Sequence, residues 1–264
     1  MENEIEKIPI WRLTEESRSN IEDVVAREFP LTIILNNQEL VTLLCSPNDL
    51  KYLAIGFLFS EGLLTGKDEI KKIIVDDQRG VVRVETKDDN ALANEFVFKR
   101  LVTSGCGRGV SFYSAADVQS QAKVESQTQM STHEVLSLVS DFQHRSQIYR
   151  ATGGVHSAAL CDTKSILVFN EDIGRHNAID KIFGEYILKD IVTEERVVIT
   201  SGRISSEVLL KVAKRNIPII ISKSAPTDLG VKLANDLGIS LLGFVRGKRI
   251  NAYTNDWRIV RDGK

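Results

Sequence analysis

The sequence predicts an α/β protein in two parts: an N-terminal α+β subdomain with antiparallel strands, then a mixed sheet covered by helices. Three observations predict this class. Short β-rich runs separated by turn residues fill the first third of the chain. A polar stretch rich in Ser, Gln and Ala follows it. From Gly153 onward, β-rich runs alternate with amphipathic segments, which is the order of βαβ units around a largely parallel core. The predicted boundaries are 1–113 for the subdomain, 114–130 for a mobile or weakly helical polar linker, and 131–264 for the α/β domain.

The composition carries no signature of nucleic-acid or membrane binding. The 264 residues are 42% hydrophobic and 27% charged, and the formal net charge is −2, so any anion site must be local. No apolar run reaches the roughly 18 residues of a membrane span, and the acidic, mixed N-terminus is unlike a targeting signal. Three cysteines at unrelated spacings make no disulfide framework. We therefore expect a cytoplasmic protein with neither nucleic-acid nor membrane partners.

The N-terminal subdomain is predicted to contain a hairpin, a helix and further strands, while its first thirty residues carry little pattern. Asn36-Asn37 separates two β-rich runs and tolerates the positive φ of a tight turn. Cys45 ends an apolar strand and is expected in the core. Ser46 to Asp49 predicts a helix start, with a capping hydroxyl and a proline at the first helical position. Apolar residues at helical spacing then give that helix one buried face until Gly62. The predicted strands are 31–35, 39–45, 72–75, 81–87 and 95–102.

The α/β domain is predicted to begin with a capped helix. Ser131 and Glu134 form a capping-box pattern, and an apolar stripe follows from Val135 to Phe142. The predicted strands are 155–161, 165–169, 196–200, 217–222, 239–244 and 250–254, and the predicted helices are 177–189, 205–214 and 227–237. Ligands of such sheets bind beyond the carboxyl ends of the strands. The loops at those ends are therefore the predicted site.

Cys106 is the candidate reactive residue. It lies in the run Thr103-Ser104-Gly105-Cys106-Gly107-Arg108-Gly109, where glycines allow another molecule to approach closely. Lys99, Arg100 and Arg108 are near it in sequence, and positive charge lowers the pKa of a thiol and favours the nucleophilic thiolate. The alternative is an exposed glycine-rich turn that contains a cysteine by chance.

Three strand exits have the chemistry of an anion site. They combine hydroxyls, cations and one aromatic ring, which could hold phosphates and stack on a base. The alternative is that these are ordinary capping and turn residues. Because the exits should converge on one edge of the sheet, we expect a phosphorylated or nucleotide-like ligand there. The residues concerned are Ser201, Gly202, Arg203, Lys223, Phe244, Val245, Arg246, Gly247, Lys248 and Arg249.

A second polar cluster runs from Asp172 to Lys181 and includes His176. Asp172, His176 and Asp180 are spaced by four, so a helix that begins early enough would align them on one face. The alternative is a capped helix with i,i+4 ion pairs. No ligand set with metal-binding spacing occurs in the sequence, so no tightly held metal is expected.

These segments together resemble the formate dehydrogenase accessory protein family (FdhD), whose members are described as sulfur carriers for molybdenum cofactor maturation. The resemblance covers most of the chain from Leu31 to Thr254 and includes the N-terminal helix segment 47–64. The matching motifs are TSGCG at 103–107, GGVHSAAL at 153–160, EDIGRHNAIDKIFG at 171–184, SGRIS at 201–205, SAPTDLGVKLA at 224–234 and GFVRGKRINAYT at 243–254.

The resemblance implies a sulfurtransferase of the persulfide-carrier type. Such a protein takes sulfur from a cysteine desulfurase and passes it to the bis-molybdopterin guanine dinucleotide form of the molybdenum cofactor, which then enters formate dehydrogenase. It also implies a cytidine-deaminase-like α/β domain and a homodimer. The persulfide cysteine of the family corresponds to Cys106, and its cofactor-binding segment to Phe244–Arg249. Many relatives carry CxxC, but Gly109 replaces the second cysteine here, which leaves a single-cysteine relay.

These implications assign roles to the candidate residues. Arg203, Lys223, Arg246 and Arg249 are predicted to hold phosphates, and Phe244 to pack on the guanine or pterin. The Asp172–Lys181 cluster with His176 is predicted to shape the pocket. A rival is a cofactor-binding chaperone of formate dehydrogenase that moves no sulfur, because a glycine-rich loop can clamp a ligand with its backbone. A zinc deaminase is excluded, because the required Glu motif and the PCxxC pair are absent from the sequence.

Overall fold

The computed structural model describes residues 3–87, 101–102, 110–111 and 121–261. Cys106 with its basic neighbours, and most of the predicted strand 95–102, lie outside the described residues.

The strands are β1 Ile5–Leu13, β2 Arg18–Ala26, β3 Phe29–Leu35, β4 Gln38–Cys45, β5 Ile70–Asp76, β6 Val81–Thr86, β7 Leu101–Val102, β8 Val110–Ser111, β9 Met130–Ser131, β10 His156–Cys161, β11 Ile166–Asp172, β12 Val197–Thr200, β13 Ile219–Ser222, β14 Ser240–Arg246, β15 Arg249–Thr254 and β16 Ile259–Val260. The helices are α1 Leu50–Ser60, α2 Thr132–Arg145, α3 Gln147–Thr152, α4 Arg175–Leu188, α5 Ser206–Ala213 and α6 Asp228–Asp236, with 3₁₀ turns at Lys67–Glu69 and Asp256–Arg258.

The chain opens with an antiparallel hairpin of β1 and β2, which the sequence analysis did not predict. Its register runs from Ile5 opposite Ala26 to Leu13 opposite Arg18. Apolar residues occur on both faces of the hairpin, so the alternation typical of a half-buried strand is absent from its sequence. The first thirty residues therefore carry little pattern in the sequence.

A four-stranded sheet of order β4-β3-β6-β5 forms the body of the N-terminal subdomain. The β3–β6 pair is parallel and the other two pairs are antiparallel. Asn36 and Asn37 have φ of 47° and 64°, so the predicted tight turn is confirmed. Buried side chains on β3 and β6, including Leu31 and Ile33, pack against α1.

Helix α1 differs from its prediction in its start and in its burial. It begins at Leu50 after Asp49, which has φ of 54°. The hydroxyl of Ser46 is not a cap, because it accepts a hydrogen bond from the Ile173 N–H at 3.1 Å. Nearly every residue of α1 is buried, because the four-stranded sheet covers one side and α4 covers the other. The prediction of a single buried face was therefore wrong.

The second sheet has the order β11-β10-β12-β13-β14-β15. Strands β12, β13 and β14 are parallel and the remaining pairs are antiparallel, which confirms the predicted mixed sheet. Helices α4, α5 and α6 pack on one face of it through one core cluster. Helix α2 packs on the opposite face, and its capping box of Ser131 and Glu134 is present as predicted.

The part of the predicted linker that the structure describes is held against the α/β domain. The Val124 N–H donates to the Leu237 carbonyl at 2.9 Å. The buried guanidinium of Arg258 donates to the Ser126 carbonyl at 2.9 Å and to the Gly238 carbonyl at 2.7 Å. Residues 121–129 form no helix, whereas the linker and the domain boundaries stay predictions. Among the described helices, none is both long and apolar enough to cross a membrane.

Candidate functional site

The three predicted loops meet at one edge of the mixed sheet, where β12, β13 and β14 end. The Lys223 N–H donates to the Thr200 carbonyl at 3.2 Å, and the Phe244 N–H donates to the Ser224 carbonyl at 3.0 Å. The Ser222 hydroxyl donates to the Gly202 carbonyl at 2.7 Å. Backbone hydrogen bonds thus tie all three strand exits together, as the topology of a parallel core requires.

Phe244 lies at the centre of a cationic and aromatic tip formed by residues 244–249. The β14–β15 register shifts between Gly243 and Arg246, and Phe244 takes a φ of 52° at this bulge. The guanidinium carbons of Arg246 and Arg249 lie 5.7 and 5.8 Å from the Phe244 ring centroid. These distances place both cations within cation–π range of one half-buried ring.

The other residues of the tip differ in what they can offer a ligand. The Val245 side chain is fully buried in the core cluster between the sheet and α2. Only its backbone is therefore available to a ligand. Gly247 has φ of 60° and makes the turn between β14 and β15. Lys248 is exposed.

The neighbouring loops carry two further cations. Burial, and then the positive charge of Arg246, lowers the pKa of Lys223 below its ordinary value. Arg203 is exposed on the first loop. A phosphate bound between these groups would relieve the repulsion between the cations, so the edge has the electrostatics of an anion site.

Two histidines lie at the same edge beside the first loop. The His156 Nδ1 lies 3.3 Å from the Ser201 hydroxyl, which accepts a hydrogen bond from the Ser157 N–H at 2.9 Å. The His176 Nε2 lies 3.5 Å from a carboxylate oxygen of Glu207. Sequence analysis missed Glu207, because an acidic residue in the first turn of a helix is ordinary capping chemistry.

Both imidazoles are held neutral by their surroundings. Burial, followed by the charges of Lys211 and Arg175, lowers the pKa of His176 to about 3. Burial, followed by Arg175, also lowers the pKa of His156. His176 and Glu207 therefore form a neutral imidazole beside a carboxylate, which can exchange a hydrogen bond with a ligand but adds no positive charge to the site.

The remaining acidic residues of the second cluster have a different arrangement from the predicted one. Asp172 is the last residue of β11 and α4 begins at Arg175, so Asp172, His176 and Asp180 do not share a helix face. Asp172 pairs instead with the fully buried Lys181 at 2.8 Å. Asp180 pairs with Lys211 at 2.5 Å. The i,i+4 alternative is also wrong for these residues, because both ion pairs join separate elements.

The two described cysteines are buried thiols. Cys45 donates a hydrogen bond to the Phe29 carbonyl at 3.4 Å, and burial, followed by Asp172, raises its pKa to about 12. Burial likewise raises the pKa of Cys161. Cys45 is in the core as predicted, and neither thiol forms an appreciable fraction of thiolate near pH 7. Within the described ranges, no group of three or more His, Cys, Asp or Glu side chains is arranged to hold a metal.

Comparisons of the sequence and of the fold with known proteins point to the same family. The sequence profile of the FdhD/NarQ family matches residues 26–260. The chain is 44% identical over 250 residues to the sulfur carrier protein FdhD of Bacillus subtilis strain 168, covering 95% of each chain. It is 41% identical over 252 residues to the protein of the same name from Staphylococcus aureus strain MRSA252, covering 96% of this chain and 95% of the other. A crystal structure of a proposed formate dehydrogenase accessory protein from Desulfotalea psychrophila superposes with a TM-score of 0.81 at 26% identity, covering 97% of this chain and 99% of the other.

Proposed function

The chain belongs to the FdhD/NarQ family, and from this premise we propose that it is a sulfur carrier protein required for formate dehydrogenase activity. It takes sulfur as a persulfide from a cysteine desulfurase and transfers it to the bis-molybdopterin guanine dinucleotide cofactor before that cofactor enters formate dehydrogenase. It therefore acts as a sulfurtransferase, in the cytoplasm and without a tightly held metal of its own.

Cys106 carries the sulfur in this proposal. Its thiolate attacks the outer sulfur of the desulfurase persulfide, and a new S–S bond forms on Cys106. The S–S bond of the desulfurase breaks, and the desulfurase cysteine leaves as a thiolate. Positive charge from Lys99, Arg100 and Arg108 favours the attacking thiolate. The inertness of the two described thiols supports this assignment, because both Cys45 and Cys161 are buried with raised pKa values.

The guanine dinucleotide substrate binds at the shared edge of the mixed sheet. The observation that carries this part of the proposal is the position of Phe244, whose ring centroid lies within 6 Å of the guanidinium carbons of both Arg246 and Arg249. An aromatic face stacks on a guanine or pterin ring, and the adjacent guanidiniums bind phosphate oxygens as bidentate donors. Lys223 and Arg203 lie on neighbouring loops of the same edge and add phosphate contacts.

The second candidate is a cofactor-binding chaperone that moves no sulfur. The same cationic and aromatic edge favours it, because that edge accounts for nucleotide binding without a thiol. The two proposals differ at Cys106. A chaperone would retain its effect on formate dehydrogenase maturation after Cys106→Ser, whereas a carrier would lose it.

Intact-mass analysis tests the carrier proposal directly. The purified protein is incubated with a cysteine desulfurase and cysteine, beside the Cys106→Ala and Cys161→Ala variants. We expect a reductant-sensitive gain of one sulfur mass in the wild type and in Cys161→Ala, and no gain in Cys106→Ala. An equal gain in Cys106→Ala, or no gain in any sample, would contradict the carrier proposal and favour the chaperone.

A further inference from the structure

The order of strands in the mixed sheet places the groups of the candidate site in a line. Strands β10, β12, β13 and β14 follow one another across the sheet. Ala158 pairs with Thr200 in the antiparallel β10–β12 contact, so His156, two residues earlier in the chain, lies at the edge where β12 ends. Neighbouring strands are about 4.8 Å apart, so the β10 and β14 ends of this edge are about 14 Å apart. A ligand that touches both ends must lie along the edge.

The chemistry of the edge changes along this line. At the β14 end the Phe244 ring offers a stacking surface, with Arg246 and Arg249 beside it. Lys223 follows at the end of β13. Burial lowers the pKa of Lys223 most and the charge of Arg246 lowers it further, so these two cations are neighbours. Arg203 follows in the loop after β12. Both loop cations therefore lie on the β10 side of the ring.

His156 supplies a neutral hydrogen-bond donor at the β10 end. Its Nδ1 lies 3.3 Å from the Ser201 hydroxyl, which accepts the Ser157 N–H at 2.9 Å. With that lone pair occupied, the hydroxyl can donate its own proton to Nδ1. The proton of the neutral ring then lies on Nε2, the nitrogen that does not face Ser201. The contact with Ser201 thus selects the tautomer in which His156 offers an N–H to a ligand.

Two guanidinium groups accompany His156. Burial lowers the pKa of the His156 ring most, and the charges of Arg175 and Arg203 lower it further, which places both cations near the ring. Arg175, the first residue of α4, lies against the loop after β12, because a Cβ on Gly202 would be 2.8 Å from the Arg175 Cβ. A neutral N–H donor and two guanidiniums from three different elements therefore converge at the β10 end. Such a set of donors suits a phosphate group.

From this order we infer that the nucleotide lies along the edge in one direction, with its base on Phe244, its first phosphate at Lys223 and its second phosphate at His156. His156 is then the residue that distinguishes a diphosphate from a monophosphate. In the full cofactor the pterin is attached through the second phosphate, so it extends to the β10 end, where His176 and Glu207 lie. This inference rests on the proposed cofactor site and adds its direction.

The affinities of two nucleotides test the direction. Isothermal titration calorimetry gives the dissociation constants of guanosine monophosphate and guanosine diphosphate, and their ratio reports the contacts of the second phosphate. We expect the wild type to bind the diphosphate at least about tenfold more tightly, because charge-assisted contacts hold the added phosphate. His156→Leu and Arg203→Gln should each reduce this ratio by about three- to tenfold. Phe244→Ala and Lys223→Gln should weaken both nucleotides and leave the ratio unchanged.

Two further variants serve as controls. His156→Gln keeps an N–H donor in its side-chain amide, so it should retain more of the ratio than His156→Leu. Lys232→Gln, on the exposed side of α6, removes one cation far along the chain from the loops and should change neither affinity. Circular dichroism checks that every variant is folded, and Arg203 is exposed, so its variant tests the direction even if His156→Leu does not fold.

The outcomes separate this inference from the proposed function. A wild type that binds neither nucleotide would overturn both the cofactor site and its direction. If the diphosphate binds but the ratio is unchanged in His156→Leu and Arg203→Gln, the direction is wrong while the proposed site stands. A ratio that falls in Phe244→Ala instead would place the second phosphate at the β14 end and overturn the direction as well. The intact-mass test of Cys106 is independent of all these results.

Discussion

Phe244 shows how one strained residue can organise a site. A bulky residue with positive φ is costly, on the order of 1–3 kcal/mol, and here φ is 52°. The hydrogen bond from the Phe244 N–H to the Ser224 carbonyl holds this conformation, while the bulge brings the ring within cation–π distance of Arg246 and Arg249. The strained backbone and the cation-flanked ring occur at the same position, as is common at binding sites.

Phe244→Ala should weaken binding of guanosine diphosphate by about 1–3 kcal/mol, the typical contribution of one aromatic–base stack. Arg246→Gln should weaken it by about 1.5–3 kcal/mol, because it removes a charged hydrogen-bond donor from a phosphate. Isothermal titration calorimetry measures both effects, and Lys232→Gln on the exposed side of α6 is the control with one lost charge. Unchanged affinity in both tip variants would contradict the proposed nucleotide site.

His176 should make stability depend on pH below neutrality. Its pKa is about 3 in the folded protein against an ordinary value of 6.5, so the unfolded chain binds more protons in that window. The stabilisation is complete above pH 6.5 and is lost as the pH falls towards 3. His176→Gln should reduce the slope of the unfolding free energy against pH in this window. The reduction should correspond to at most about one fewer proton taken up on unfolding. Urea unfolding at several pH values measures the slope, and an NMR titration in which the His176 ring protonates near pH 6.5 would refute the prediction.

At the scale of elements, the contact between α1 and α4 depends on two glycines. A Cβ on Gly56 would lie 1.7 Å from the Asp180 carbonyl oxygen, and one on Gly184 would lie 1.9 Å from the Tyr52 carbonyl oxygen. The two helix backbones therefore touch directly at this crossing. This close approach explains why α1 is buried on the side away from its own sheet.

Gly56→Ala should destabilise the protein by about 3 kcal/mol or more, because the added methyl group must displace backbone rather than a flexible side chain. Gly184→Ala should have a similar effect for the same reason. Gly66→Ala is the matched control, since a Cβ there would have its nearest neighbour at 3.9 Å. Urea unfolding measures all three variants. A Gly56→Ala variant as stable as Gly66→Ala would show that the crossing can relax.

At the scale of the whole molecule, two buried ion pairs of the α/β domain are hydrogen-bonded to residues of the N-terminal subdomain. Lys181 contacts Asp172 at 2.8 Å and donates to the Asn48 side chain at 2.9 Å. Asp180 binds Lys211 at 2.5 Å and accepts a hydrogen bond from the Ser60 hydroxyl at 2.6 Å. The polar cluster that carries the family motif at 171–184 therefore holds the two parts of the chain together.

Lys181→Met should destabilise the protein by about 3–5 kcal/mol, because it leaves the buried Asp172 carboxylate without its cation. The double variant Asp172→Asn with Lys181→Met should recover part of this loss, since no buried charge remains. Lys189→Met is the control, because it breaks an exposed pair with Glu185 at 2.5 Å and should cost at most about 1 kcal/mol. Denaturant unfolding gives the three values. If Lys181→Met is no more destabilising than Lys189→Met, the buried Lys181–Asp172 pair does not stabilise the fold as proposed.

The sequence alone determined the elements whose pattern is local. The Asn36-Asn37 turn, the capping box at Ser131 and the alternating strands and helices from β10 to β15 depend on neighbours within a few residues. Their boundaries were therefore predicted closely. The sequence also predicted that the three cationic loops converge, because the carboxyl ends of neighbouring parallel strands lie at the same edge of a sheet.

Only the tertiary structure decided the features that depend on distant residues. The hairpin β1–β2 has no alternating pattern, the hydroxyl of Ser46 binds Ile173 across the chain, and the neutral state of His176 depends on burial and on Lys211. The partners of Asp172 and Asp180 likewise come from other elements. Burial, ion pairing and pKa are set by the residues that packing brings together, and sequence spacing does not record those distances. The sequence thus determined the family, the order of strands and helices from β10 to β15 and the edge that carries the site, while packing decided the hydrogen-bond partners and the protonation of the groups at that edge.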